Sequence, residues 1–384
     1  MAEDTLIPLE DLTKPSEYDD LYRAYQERLD EMGFGYCKAQ GDAAGAELVM
    51  LKRFYTPQDI KYILDMPIDE FFTAADFAKT EGMDEAQAFD ILQDLAKRGN
   101  IYHEKRDDGI HYYHAEPAAH GIYEFHAGEF DTVWLGEGLY PTMANGMLAQ
   151  VYDAGVPFYR CVPADEKLVK EGELLDDDDL FAHLRTHRRF CVSPCACVTS
   201  ARDVLGMDTC DHESGVCIQT DEMADYYLDD LHLGKEITLE QCEKLLRRNV
   251  ERGLAMQTTY AKKNEIICSC KLCHCGILQA AKAFPGDAMN NISRYEIEFD
   301  RNACTKSGAC AARCTMQAIT FDDDGYPVTD ASCIGCGQCV IACKAGARIL
   351  KRKPDEEIRE LPDDVWGAYV EMEGFRKEKG MIPA

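Results

Sequence analysis

The sequence predicts an α+β multidomain chain, and three observations carry that expectation. Its 384 residues suffice for two or three separate cores. The first third shows helical periodicity followed by one hairpin signal. Nineteen cysteines fall largely into spaced runs beyond residue 190.

In an oxidising compartment such a cysteine content would read as a disulfide framework. The amino terminus, Met1-Ala2-Glu3-Asp4, has neither the basic region nor the apolar core of a secretory signal. No run approaches the roughly 18 apolar residues of a membrane helix. A cytoplasmic location is therefore expected, where clustered cysteines read as metal ligands.

Residues 1–54 read as an acidic helical leader, with Leu21-Tyr22, Tyr25 and Leu29 at helical spacing before the Gly33-Phe34-Gly35 break. Residues 55–117 read as three helices and a hairpin. Phe71 to Ala78 precede a turn at Glu81-Gly82, and Ala88-Phe89, Leu92 and Leu95-Ala96 recur at helical spacing. Ile101-Tyr102-His103 and Ile110 to Tyr113 then flank Asp107-Asp108-Gly109, a turn sequence. That order resembles a winged-helix domain, which implies DNA binding. The charges oppose it, because the helix that would enter the groove carries Asp84, Glu85, Asp90 and Asp94. DNA is not an expected partner, and packing against another subunit or another part of the chain is. Residues 118–180 form a connecting segment. Gly121 to Phe125 is expected to be extended, Met143 to Tyr152 helical, and Glu171 to Asp179 an acidic linker.

Residues 181–289 are expected to be a Cys-rich, mostly helical middle domain. Thr238-Leu239-Glu240 reads as a helix start ahead of Cys242. The cysteines form two groups: Cys191, Cys195, Cys197, Cys210 and Cys217, then Cys268, Cys270, Cys273 and Cys275. The doublets 195/197, 268/270 and 273/275 share a property. On an extended segment side chains two apart face the same way, so each doublet can offer two thiolates to one centre. The simplest grouping puts Cys195, Cys197, Cys210 and Cys217 on one centre and Cys268, Cys270, Cys273 and Cys275 on another, with Cys191 as a substitute in the first. Exchange between groups stays open, and so does the metal. Zinc tolerates short spacings in four-Cys sites, whereas iron–sulfur clusters suit a chain with further cluster-like runs. His212 and His274 lie beside these cysteines and are expected in supporting or solvent-facing positions. Cys37, Cys161 and Cys242 stand alone, and Cys242 reads as a small packed residue.

Residues 290–351 carry Cys333-x2-Cys336-x2-Cys339-x3-Cys343 and an upstream copy, Cys304-x2-Ser307-x2-Cys310-x3-Cys314, with serine in the second position. Two-residue spacers let three thiolates of one loop reach three corners of a [4Fe-4S] cubane. With Ile334-Gly335, Gly337 and Ala318-Ile319, this stretch resembles a bacterial two-cluster ferredoxin domain. Thr315 and Lys344 stand where that family usually has proline. The resemblance implies crossed ligation: Cys333, Cys336, Cys339 and Cys314 for one cluster, and Cys304, Cys310 and Cys343 for the other, with Ser307 at the fourth position. Three thiolates could hold a [3Fe-4S] cluster, Ser307 or water could complete a [4Fe-4S] cluster, or the site could be empty. The retained spacing favours an occupied site.

Taken together, Cys195-Ala196-Cys197, Cys210, Cys217, Gly253-Leu254 and Cys268 to Gly276 resemble a set of 4Fe-4S binding proteins of anaerobes. These join a winged-helix-like amino half to Cys-rich loops and a terminal ferredoxin. The resemblance spans roughly residues 60–351 and implies electron transfer with no named substrate. Residues 352–384 read as a tail whose Trp366, Tyr369 and Phe375 dock on a core.

The expected role is that of an electron-relay protein or oxidoreductase subunit. One or two further clusters, or zinc, would lie in the middle domain. No Gly-x-Gly-x-x-Gly or Walker sequence marks a nucleotide site, and no catalytic residue is assigned. The net charge of −29 reads either as a solvated surface or as a face that docks a basic patch on a redox partner or catalytic subunit. It also favours the low potentials of anaerobic metabolism. Two rival readings are a redox-sensing regulator and an enzyme with an open iron at Ser307.

Overall fold

In the computed structural model, residues 4–35, 38–207 and 213–383 are described; Cys37, Cys210 and His212 lie outside them. Helices Asp19–Glu31, Ala46–Lys52 and Pro57–Leu64 open the chain. They bury Tyr22, Tyr25, Leu29, Met50, Leu51 and Ile60 in a common core. Thr56 and Asp59 cap the third helix reciprocally.

Strand β1 (Phe72–Thr73) leads into helix Ala74–Glu81, whose Thr73–Asp76 capping box repeats that device. Helix Glu85–Lys97 follows, then β2 (Tyr102–Lys105) and β3 (His111–His114). The three strands pair in the order β1-β3-β2. Between this hairpin and the next sheet, residues 119–121 are non-helical, Tyr123–Phe125 form one helical turn and residues 134–150 are helical. The extended backbone expected over Gly121 to Phe125 is thus absent from Ile122 onward, because Ile122 is already right-handed helical and Tyr123–Phe125 form a helical turn.

The middle of the chain is organised by a six-stranded antiparallel sheet. Its strands are β4 (Tyr159–Val162), β5 (Phe190–Pro194), β6 (Gly215–Thr220), β7 (Lys235–Glu236), β8 (Ala255–Thr259) and β9 (Ile266–Cys270). They run in the order β4-β8-β9-β6-β5-β7. This corrects the expectation of a mostly helical middle domain. Helices are present, but the sheet sets the architecture, and β4 reaches it from the expected connecting segment. Helix Leu239–Glu251, capped by Thr238 as expected, covers one face. There Cys242, Leu246 and Val250 meet Val162, Ile218, Met256 and Ile267. Alternation sends Cys161, Cys268 and Cys270 to the opposite face.

At the carboxyl end, β10 (Tyr295–Phe299) pairs with β13 (Arg348–Arg352), and β11 (Ile319–Phe321) with β12 (Pro327–Thr329). Short helices Ala309–Ala312 and Gln338–Ala342 each start after a left-handed glycine, Gly308 or Gly337. The final helix, Val365–Glu378, folds back on the amino half. Trp366 contacts Phe71, Tyr102 and His114, and the Tyr369 hydroxyl donates to the His120 carbonyl at 3.3 Å. No described helix is long and apolar enough to cross a membrane.

Candidate iron–sulfur sites

The two carboxyl-terminal cysteine runs fold into a pseudo-repeat, and each contributes to two cavities. Cys314, Cys333, Cys336 and Cys339 border a tight inner cavity of about 20 Å³. Cys304, Ser307, Cys310 and Cys343 border an outer one of about 410 Å³. The last cysteine of each run therefore sits with the other run. Backbone N–H groups point at the sulfurs: Ala318 donates to Cys314 Sγ at 3.3 Å and Lys306 to Cys304 Sγ at 3.4 Å. Burial pushes the Cys336 thiol up to about 12 and raises Cys333 and Cys339. A thiolate buried there needs a cation against it, which is what a bound metal supplies. Lys306, Lys344 and Arg348 line the outer cavity instead.

Thr315 has a local use. Its hydroxyl donates to the Gly253 carbonyl at 2.9 Å and lies beside Cys336. The inner cavity is thereby fixed to the turn between helix Leu239–Glu251 and β8. Gln338 strengthens the seam, its amide reaching the Leu254 carbonyl at 2.6 Å.

Residues 296–344 match the family model of a 4Fe-4S dicluster domain. That segment contains all eight positions of the two runs, so the carboxyl-terminal domain is ferredoxin-like and an iron–sulfur domain. No curated protein and no solved structure matches the chain.

The upstream cysteines gather differently from their sequence grouping. Cys195, Cys197, Cys217, Cys268, Cys270 and Cys275 border one cavity, with Glu124, Tyr159, Gln257 and His274. Strand pairing explains the merger. β6 pairs with β9 at Ile218 and Ile267, which sets Cys217 beside Cys268. Cys195 follows β5 and caps the helical turn Ala196–Val198, and Cys275 caps helix Gly276–Ala283, so both come in at helix starts. Neighbouring thiols pull Cys197 and Cys268 well below the ordinary thiol range. Hydrogen bonds to Cys268 and Cys275, followed by burial, leave Cys270 well above it. Among the described residues, no three His, Cys, Asp or Glu side chains meet at a single-ion position; the sulfurs ring a space.

Two expected ligands stand apart. Cys191 is buried on β5 against the Leu233 carbonyl, 3.7 Å away, and does not border the cavity. Cys273 is disulfide-bonded, with His274 Nδ1 3.2 Å from its sulfur. The same-face argument for Cys273 and Cys275 fails because residues 272–274 form a turn, not a strand. His274 is buried at 5 % exposure rather than solvent-facing. Sequence reasoning missed Glu124, Tyr159 and Gln257. It also treated Cys161 as isolated, yet this buried thiol lies near Cys333 and Cys336 and is pushed upward. Register brings Gln257 and Cys161 in, since Gln257 pairs with Cys161 on β4 and with Cys268 on β9.

Proposed function

We propose that the chain is an iron–sulfur electron-transfer protein, acting as the relay subunit of an oxidoreductase. The observation that carries this reading is the thiol-lined pair of cavities within a dicluster domain, abutting a third thiol-lined cavity. Cys314, Cys333, Cys336 and Cys339 would hold one cluster; Cys304, Cys310 and Cys343, with Ser307 at the fourth position, would hold the other. Such clusters, when bound, supply one-electron chemistry at potentials set by charge, burial and hydrogen bonds to sulfur.

The chain's own residues join the sites. Leu272, between Cys270 and Cys275, donates its N–H to the Thr315 carbonyl at 3.4 Å, and Thr315 follows Cys314. A second connection runs along the sheet from Cys268 through Gln257 to Cys161, beside the inner cavity. The buried core around these links excludes water, and the outer cavity faces the surface where a partner would dock. The acidic surface favours a basic partner, with a rate that falls as salt rises.

We read residues 55–117 as winged-helix-like from the order of helices and the β1-β3-β2 sheet. The exposed face of helix Glu85–Lys97 carries Asp84, Glu85, Asp90 and Asp94. Arg98 is bound to Asp59 at 2.7 Å and Asp94 at 2.9 Å, which weakens any hold on phosphate. The domain therefore serves as a packing element in this reading.

Stopped-flow mixing of the chemically reduced full chain with a one-electron acceptor dye tests the relay. Rapid oxidation by single electrons, slowed in Cys336→Ser, is expected. Substrate turnover by the chain alone would favour an enzyme, and retardation of promoter DNA at moderate salt would favour a regulator.

A further inference from the structure

The sequence offers two sets of four thiols in the middle region, and among the described residues the fold offers one set of six. They come from three segments separated by up to 80 residues, and their sulfurs follow one another without a break. Cys195 lies beside Cys197, Cys197 beside Cys275, Cys275 beside Cys270, Cys270 beside Cys268, and Cys268 beside Cys217. Among the described residues, no Lys or Arg borders the cavity. Backbone N–H groups of Val198, Gly276 and Leu278 point at Cys195, Cys197 and Cys275. Such N–H···S bonds orient and stabilise sulfur ligands.

An independent observation comes from Gln257. Its side chain borders the cavity at 1 % exposure, and neither its Oε1 nor its Nε2 has a hydrogen-bond partner among the described residues. Each buried group left unsatisfied costs about 1–3 kcal/mol. An amide aimed into a sulfur-lined space therefore signals a polar occupant. Neighbouring Gln219 already donates to Cys217 Sγ at 3.3 Å, an amide-to-sulfur contact of the kind Gln257 is placed to make.

We propose that this cavity holds one iron–sulfur assembly larger than a single cubane, bound by all six thiolates, with the Gln257 amide hydrogen-bonded to it. A lone cubane uses four cysteines and would leave two thiols of the series idle. Two cubane-type units joined by a shared bridge use six, because each gives up one outer position to the link. A single ion fits less well, since the sulfurs surround a space and do not meet at a point. The inference rests on reading the middle region as part of the iron–sulfur relay.

Native mass spectrometry of the anaerobically purified full chain, with iron, sulfide and zinc analysis and Mössbauer spectra, tests it. Expected is iron well above the roughly eight atoms of two cubanes, by about as many again. Each of the six Cys→Ser variants should alter that extra component, and Gln257→Leu should keep the iron while shifting its midpoint potential. An extra complement of about four irons or fewer, zinc in place of iron, or two Cys→Ser variants with unchanged spectra overturns the six-thiolate assignment. An unchanged potential in Gln257→Leu overturns the amide contact. The wild-type mass needs no variant to fold. Dicluster EPR signals from the same samples separate the two readings: if they persist while the extra iron is missing, only this inference falls.

Discussion

Ser307 occupies the one position of the two carboxyl-terminal runs that is not cysteine, and it borders the wide cavity with Cys304, Cys310 and Cys343. Ser307→Cys should complete an ordinary four-thiolate shell, changing the EPR signal of the outer cluster and adding up to about one iron per chain. An unchanged spectrum would count against this ligand set. Glu265 shows a different consequence of burial. Its carboxyl accepts the Val365 N–H at 3.1 Å, and burial raises it from 4.5 to about 8. Between those values the folded chain keeps a proton that the unfolded chain has released, so stability falls as pH rises through this window. Denaturant melts should show a loss of a few kcal/mol from about pH 5 to about pH 8, and Glu265→Gln should flatten it. The spacing of residues 304–343 made both terminal sites readable as sequence. Gln257 and Cys161 were not readable, because they gain meaning only from cross-strand neighbours.

The helix Leu239–Glu251 was the most legible element, since its cap, Thr238 with Gln241, acts within four residues. The six-stranded sheet was the least. Tyr159 pairs with Thr259, and nothing local specifies a partner a hundred residues away. The turn after β9 likewise separates Cys273 from Cys275, though both fit an alternating pattern on paper. The paired short helices of the dicluster domain offer a graded test. Gly337 has φ +78°, and a Cβ there would lie 2.8 Å from Leu168 Cδ1; Gly308 has φ +74° with its nearest neighbour at 3.8 Å. Gly337→Ala should cost about 1–3 kcal/mol through backbone strain plus a steric clash, and Gly308→Ala less, since it meets only the strain. Thermal melts of the two variants check the order, and equal losses would contradict it.

Across the whole molecule, the largest apolar core runs from Ile7 to Met372, so the expected segments are not independent beads. The closing helix ties the end of the chain to the hairpin through Trp366, and the Arg376 guanidinium reaches the Met32 carbonyl. In the relay proposed above, electrons would pass between the six-thiol space and the inner and outer cavities. The central claim is that the dicluster domain holds two clusters in the crossed arrangement of its cavities. Redox-titrated EPR of the anaerobically purified chain tests it most directly, with Cys314→Ser and Cys343→Ser alongside. The account predicts two cluster signals, with Cys314→Ser perturbing the cluster of the downstream run and Cys343→Ser that of the upstream run. A single signal, or perturbation by each variant of its own run's cluster alone, would contradict it.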